Sequence, residues 1–471
     1  MTFRRCILLL ADGARPDVFQ KLISEGRLPA IEEFLLKEGA LTPAVSTFPS
    51  TTGPAYLPFL TGCHAGTCNL PGIRWFDRKK YAQGGLPLRS FRSYVGPESL
   101  LMNGDVSPNI STLFDIFPGS VNIFSPINRG VSFRHNKTKF SRIWYCYYSH
   151  LTDHWSLIDK ASAKKLMTVI EGDEDPEFIF AVFPGIDEHS HLGDPFHPVT
   201  LASYELIDRT VASLVAALKK KGCWEETLLG IVSDHGLSST QKHLSLNQFL
   251  DQEGLRPFHY PFIFNRKFQV ANMVSGNGMS HLYFKNKQGW EKALLEEEIR
   301  ADYPGILEKL LARPEIDLIS CRGQGGEIIA LSRRGRARIG ERQGKIFYQV
   351  EGADPFGYPA LPEMMSPREI LEKTFDTDYP DAPMQLMQIF RSERTGDVIL
   401  SAAKGYDLRK RYEVPEHKSS HGSLHREHMM TPFILNAPLQ KKMARTVDVF
   451  PTLLKLMGRE IPQEIDGESL V

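Results

Sequence analysis

The opening stretch MTFRRCILLLADGARPD (1–17) supports two readings that lead to different folds. Arg4 and Arg5 followed by an apolar run have the form of a secretory signal. That run, however, ends at Asp12 after about six residues, short of the roughly seven to fifteen a signal core needs, and no A-x-A cleavage site follows. The other reading is a short strand without polar positions, closed by Asp-Gly, as expected of a strand covered on both faces. We adopt the strand, because the same pattern recurs along the chain.

Unbroken apolar runs of strand length appear again at FIFAVF (178–183), LLGIVS (228–233), DVILSA (397–402) and PFILNA (432–437). Between them lie VFQKLISEG (18–26), TLASYELIDRTVASLVAALKKKG (200–222) and TVDVFPTLLKLMG (446–458), which carry helical periodicity. Such alternation predicts an α/β fold, a mostly parallel central sheet with helices on both faces. Residues 256–395 interrupt it. They are rich in Pro, Phe, Tyr and mixed charge, and HLYFKN, EIIALSRRGRARIG and GKIFYQVEG read as short strands and turns. The expected organisation is a catalytic core begun by 1–255, an inserted cap or substrate domain at 256–395, and a core completed by 396–471.

Composition narrows the function. The 471 residues are 42% hydrophobic and 24% charged, a soluble globular balance, and no run of 18 apolar residues exists to span a bilayer. Lys and Arg number 56 against 56 Asp and Glu, so there is no overall field to attract nucleic acid or anionic lipid, any anion must be caught locally, and no nucleic acid is expected as a partner. Six scattered cysteines without framework spacing fit free thiols in a reducing, cytoplasmic setting, and Cys63 and Cys68 are too far apart for a C-x2-C knuckle.

Polar clusters sit where the apolar runs stop, the place where parallel α/β sheets bind ligands. Asp12 closes the first run. PGIDEHSHLGDP (184–195) contains Asp187, His189 and His191; SDHG (233–236) contains Asp234 and His235; SSHGSLHREHM (419–429) contains His421, His425 and His428. Singly, each has an ordinary explanation as a helix cap, a turn or a core histidine. Jointly they supply mixed N and O donors suited to zinc or a similar divalent ion, in numbers sufficient for two. Paired ions about 4 Å apart are the recurrent arrangement for phosphoryl transfer. PSTTGPAYLPFLTG (49–62) adds three consecutive hydroxyls, and an adjacent divalent ion lowers the pKa of such a group.

At these residues the sequence resembles the alkaline phosphatase superfamily, and within it the type I phosphodiesterase/nucleotide pyrophosphatase branch. DGARPD, Thr52 with Pro54 two residues on and Thr61-Gly62 nine and ten residues on, Asp187-x3-His191, Asp234-His235-Gly236 and His421-Gly422 follow that family's pattern in order. The ending DVFPTLLKLMGREIPQEIDGESL (448–470) is similar to the C-terminal segment of related sulfatases. The resemblance implies two divalent metals, zinc or else manganese. One would be held by Asp187, His191 and His421, the other by Asp12, Asp234, His235 and Thr52. It further implies that Thr52 attacks phosphorus in line and that water hydrolyses the resulting phosphothreonine with net retention.

The family pattern also separates Thr52 from Ser50, Thr51 and the TFP threonine Thr47, since Thr52 alone has the required distance to Thr61-Gly62. The chain departs from the pattern at position 55, which is Ala where many phosphodiesterases have an Asn that binds a phosphoryl oxygen, in the extra hydroxyls and the TFP imitation beside Thr52, and in the spare His189, His425 and His428. The C/S-x-P-S-R motif of sulfatases is absent. The expected substrate is a small phosphorylated molecule, nucleotide-like or a lipid head-group ester, cleaved at a phosphodiester or pyrophosphate bond. A phosphomonoesterase or phosphonate hydrolase on the same site, and a non-catalytic metal-binding homologue, are the alternatives. Arg74, Trp75, Arg78 and Tyr81 are candidates for stacking a base or gripping a second phosphate, against the simpler reading of a surface loop with a buried Trp. RRGRAR (333–338) reads as a source of positive charge near the cap or as a solvated turn.

Overall fold

The computed structural model describes residues 3–84, 90–258, 260–264, 267–409 and 416–471. Its first sheet has seven strands, β1 Arg5–Ala11, β2 Ala40–Val45, β3 Val121–Ile123, β4 Phe178–Phe183, β5 Thr227–Val232, β6 Met430–Leu435 and β7 Ala444–Arg445, in the order β7-β2-β6-β5-β1-β4-β3. β6 alone runs antiparallel to its neighbours. Cys6 to Ala11 and all of Phe178–Phe183 are buried, which is why these strands carry no alternating polar positions. The principal helices of this half are α1 Pro16–Ser24, α2 Ser141–Thr152, α3 Ser156–Glu171, α4 Gly185–Leu192, α5 Pro198–Lys220 and α6 Val449–Leu456. The opening segment is therefore a buried strand, and the expected helices at 18–26, 200–222 and 446–458 are present within a few residues of their expected ends.

A second sheet of nine strands is almost wholly antiparallel and is covered on both faces. Along Ile328–Ser332, Ile328 and Ala330 enter one apolar core while Ile329 and Leu331 enter another, the two-residue period of a pleated strand. This sheet also corrects one strand assignment. DVILSA was expected in the central parallel sheet; instead Val398–Ala402 lies in the middle of the second sheet, antiparallel to Met279–Phe284 and Ile316–Arg322. Its residues alternate between the same two cores, Ile399 in one and Val398 and Leu400 in the other. A strand buried on both faces has the same apolar composition in either sheet, so composition does not distinguish them.

Candidate active site

Parallel β1, β4 and β5 end at one edge of the first sheet, and antiparallel β6 begins there. Asp12 directly follows β1, Asp187 lies in the first turn of α4 after β4, Asp234 and His235 follow β5, and His421 precedes β6. Reversal of β6 explains how a cluster ahead of a strand meets clusters that come after strands. Asp187 and His191 are four apart on α4, on one helix face, with Asp187 Oδ2 3.4 Å from His191 Nε2. The Asp187 N–H donates to the Asp12 carbonyl at 3.0 Å, tying the two loops together. Gly13 has φ +73°, and a Cβ there would lie 2.9 Å from the Asp187 Cβ, so this close approach requires glycine.

Two groups of donor atoms result. Asp187, His191 and His421 form one, with His421 Nε2 3.9 Å from Asp187 Oδ1; Asp12, Asp187 and His235 also converge within 4.8 Å. Around His235 Nε2 lie Asp12 Oδ1 at 3.5 Å, Asp234 Oδ2 at 3.2 Å and Thr52 Oγ1 at 3.2 Å. The hydroxyls nearby are directed elsewhere. Thr47 Oγ1 faces His64, Ser50 donates to the Ser423 carbonyl, and Thr51 Oγ1 is buried without a hydrogen bond. Thr52 alone among the four faces Asp12 and His235, at the start of a turn where Gly53 takes φ +91° and a Cβ would press on Met102.

Whether a divalent ion suits this pocket can be tested on the protein atoms. Asp187 Oδ1 and Asp234 Oδ2 are buried without any hydrogen-bond partner among the described residues. Among the described residues no Lys or Arg pairs with Asp12, Asp187 or Asp234, although three buried carboxylates without compensation are costly. All three imidazoles donate from Nδ1 to a backbone carbonyl: His191 to Ser419 at 2.7 Å, His235 to Gly236 at 3.1 Å, and His421 to Ser50 at 2.8 Å. A carbonyl can only accept, so in each neutral ring the lone pair lies on Nε2, pointed at the carboxylates. The donor set fits.

The electrostatics show the same tension. Burial would raise the Asp187 carboxyl, but His191, His421 and His235 outweigh it and hold it well below the usual range. Burial lowers and Asp187 more than restores His191, which is pushed up to about 10. Burial and the Asp187 charge push Asp12 up to about 8, and burial with the Asp12 charge raises Asp234. Burial depresses His235 and takes His421 down to about 4.

This constellation can be compared with known proteins. The model of the type I phosphodiesterase / nucleotide pyrophosphatase family matches residues 6–424. The chain belongs to that family. As a type I phosphodiesterase it is a hydrolase. Among solved structures it is similar to phosphonoacetate hydrolase from Sinorhizobium meliloti 1021 (TM-score 0.59, 15% identity, covering 97% of this chain and 96% of that one). Human ectonucleotide pyrophosphatase/phosphodiesterase 5 gives TM-score 0.56 at 15% identity, with 98% and 97% covered. The mouse protein of that name gives 0.54 at 14%, with 98% and 96% covered. At these identities the likeness establishes a common fold. No curated protein matches this type I phosphodiesterase in sequence. No helix among its described residues is long and apolar enough to cross a membrane.

The remaining histidines have structural partners. His428 is held from both sides, Nδ1 by Ser423 and Nε2 by Ser238, each at 2.7 Å; His189 Nδ1 meets Ser203 Oγ; His425 accepts from the Glu427 N–H as a helix cap. Within 69–81 the buried Trp of the simpler reading is present, but Arg74 and Arg78 are buried as well and do not lie on a surface loop. Trp75 is fully buried and donates to Tyr94, Arg78 is buried against Asp397 at 2.8 Å, and Arg74 donates to the Val274 carbonyl, so they are core and not a base platform. Arg334 and Arg336, within 333–338, are engaged by Asp317 and Glu296.

Three features were not read from the sequence. Tyr56 donates its hydroxyl to Asp12 Oδ2 at 2.6 Å, His417 stacks on His191 at 4.1 Å, and the turn Ser275 to Gly278 of the second sheet docks on His421. There the His421 N–H donates to the Gly276 carbonyl and the Gly278 N–H to the His421 carbonyl at 2.8 Å. Tyr56 sits in the apolar run AYLPFL, where nothing local separates it from a core aromatic.

Proposed function

We propose that this chain cleaves phosphodiester or pyrophosphate bonds of small phosphorylated substrates, with Thr52 as the nucleophile. The observation that carries the reading is the convergence of the Thr52 hydroxyl, two carboxylates and an imidazole at one buried point. Asp187, His191 and His421 would hold one divalent ion; Asp12, Asp234, His235 and the Thr52 hydroxyl would hold a second. Zinc suits the mixed N and O donors, with manganese as the alternative. When bound, the ions supply positive charge against the phosphoryl oxygens and lower the pKa of the attacking hydroxyl.

The chain itself orients the groups. Tyr56 occupies Asp12 Oδ2 and leaves Oδ1 facing Thr52, while the Gly53 turn fixes the direction of the Thr52 side chain. Pre-set geometry of this kind removes reorganisation from the barrier. In-line attack by Thr52 Oγ1 transfers the phosphoryl group to Thr52 and releases the first product, and hydrolysis of that ester restores the threonine. An inactive Thr-to-Ala variant of the mouse pyrophosphatase/phosphodiesterase 5, in complex with AMP, supports a threonine in this role and a nucleotide-like substrate.

The inserted unit is read as starting near 256 and shaping the leaving-group side. Because Val398–Ala402 belongs to its sheet, we place its end beyond 402 and not at 395. A phosphonate-cleaving reading rests on Ala55 and on the phosphonoacetate hydrolase, whose structure contains phosphonoacetate. The test is hydrolysis of bis-p-nitrophenyl phosphate, p-nitrophenyl phosphate and phosphonoacetate by wild type and Thr52→Ala. Diester cleavage that disappears in a folded Thr52→Ala supports the proposal; unchanged turnover in that variant overturns it, and preference for phosphonoacetate moves the substrate class.

A further inference from the structure

Helix α2 presents its apolar stripe to solvent. Trp144, Tyr147, Tyr148 and Leu151 stand at the i, i+3, i+4, i+7 spacing that normally faces a core, and Phe140 continues the stripe one turn earlier. Here Phe140, Trp144 and Leu151 are 74, 57 and 82% exposed, and Tyr147 and Tyr148 are exposed as well. The Trp144 and Tyr148 rings stack at 5.3 Å, and Phe133, also exposed, packs edge-on against Phe140. Patches of this kind on a soluble surface mark an interaction site.

The surroundings of the stripe say what covers it. In a chain with balanced charge, residues 129–174, which include the groove lining, contain eight Lys and Arg against five Asp and Glu, one of them the buried Asp159. Beside α2 lies a groove of about 600 Å3 whose charged lining is Arg134, Lys137, Lys164 and Lys165 with Asp173 and Glu174. Glu174 partly neutralises it by pairing with Arg134 at 2.7 Å and Lys137 at 3.4 Å. Among the described residues Lys164 and Lys165 have no carboxylate partner, and Lys139 lies over the Phe133 ring at 4.6 Å. A second copy of the chain meeting this patch about a two-fold axis would set these cations against their own copies. Exposed Trp and Tyr beside Lys and Arg instead match the interfacial layer of an anionic bilayer, where amphipathic rings lie at head-group depth and each cation gains from the surface potential.

We infer that α2, with the groove between it and α3, is a docking face for an anionic lipid surface. The aromatic stripe lies in the interface and Arg134, Lys137, Lys164 and Lys165 contact the head groups. This does not depend on the chemistry assigned to Thr52.

The test is flotation of the full chain with phosphatidylcholine vesicles, with and without about 30% phosphatidylserine, together with sedimentation of the lipid-free protein. Binding at least about tenfold stronger to the serine-lipid vesicles, reversed by high salt, is expected. Trp144→Ser/Tyr148→Ser and Lys164→Glu/Lys165→Glu should each lower that binding by about tenfold or more while soluble-diester hydrolysis is retained. Absence of flotation, or binding that neither double variant alters, overturns the inference. A concentration-dependent dimer lost in Trp144→Ser/Tyr148→Ser would also overturn it, assigning the face to a second copy.

Discussion

Two buried carboxylate environments in this protein differ in how their charge is met. Asp381 is fully buried and receives both Nε and Nη2 of Arg445, at 2.7 and 2.6 Å, and an N–H of Gln385 at 2.9 Å, so its lone pairs are used by fixed donors. Asp12, Asp187 and Asp234 are equally enclosed, yet they face imidazole Nε2 atoms and a hydroxyl, and among the described residues two of their oxygens have no hydrogen-bond partner. The first arrangement is closed within the chain. The second has the donor set that a cation from outside would complete, and this difference separates a structural ion pair from a candidate centre for chemistry.

Substitutions should break this contrast in opposite ways. Asp187→Asn, which removes the carboxylate common to both donor groups, is expected to lower diester hydrolysis by a factor of roughly 1,000 or more and to reduce bound metal measured by elemental analysis. Stability of the metal-free protein should fall near neutral pH, since His191, His421 and His235 hold the ionised Asp187 in a favourable state, but by less than unfolds the chain. Arg445→Met should do the reverse, costing about 3–5 kcal/mol in denaturant unfolding by leaving Asp381 unpaired, with turnover per folded molecule retained. If Asp187→Asn unfolds the protein while Arg445→Met leaves it intact, the contrast is wrong.

Asp159 gives an intermediate case. Among the described residues its carboxyl accepts a hydrogen bond only from the Gly185 N–H, at 3.0 Å, and burial pushes it up to about 7. The sign follows from linkage. Below about pH 4 the group is protonated in both states and costs nothing; between 4 and 7 only the unfolded state releases the proton, so stability falls as pH rises, and above 7 the full penalty is present. Asp159→Asn should match wild type in unfolding free energy near pH 4 and exceed it at pH 8, by less than about 4 kcal/mol in denaturant unfolding. An equal offset at both pH values would remove the carboxyl from the explanation.

Tyr56→Phe is the mildest break, freeing Asp12 Oδ2 without removing a donor atom facing Thr52. A loss of about 10- to 100-fold is expected, in kcat more than in KM and with metal affinity weakened. An effect confined to KM would place Tyr56 on the substrate.

Much of this site was legible because strands buried on both faces stand out as apolar runs, and the residues after Ala11, Phe183 and Val232 are therefore conspicuous. Sequence was silent on the remainder because the partners are remote. Tyr56 reaches Asp12 across 44 positions, and the carbonyl anchoring His191 belongs to Ser419, 228 positions away. The Val398–Ala402 strand was assigned to the wrong sheet since burial on two faces erases the alternation that identifies an antiparallel strand. His428 lies in the same segment as His421 but is followed by Met429 and not glycine, and both its nitrogens are satisfied by serines.

The Gly276–Gly278 turn has a mechanical consequence. Backbone hydrogen bonds on both sides of His421 fasten it to the second sheet, while its Nδ1 is bound to Ser50 on the first half of the chain. His421 thus acts as a rivet between the two halves. Hinge motion wide enough to part them would break its bonds, so the pocket is expected to open at side chains and loop tips, and the two sheets to melt in one cooperative transition.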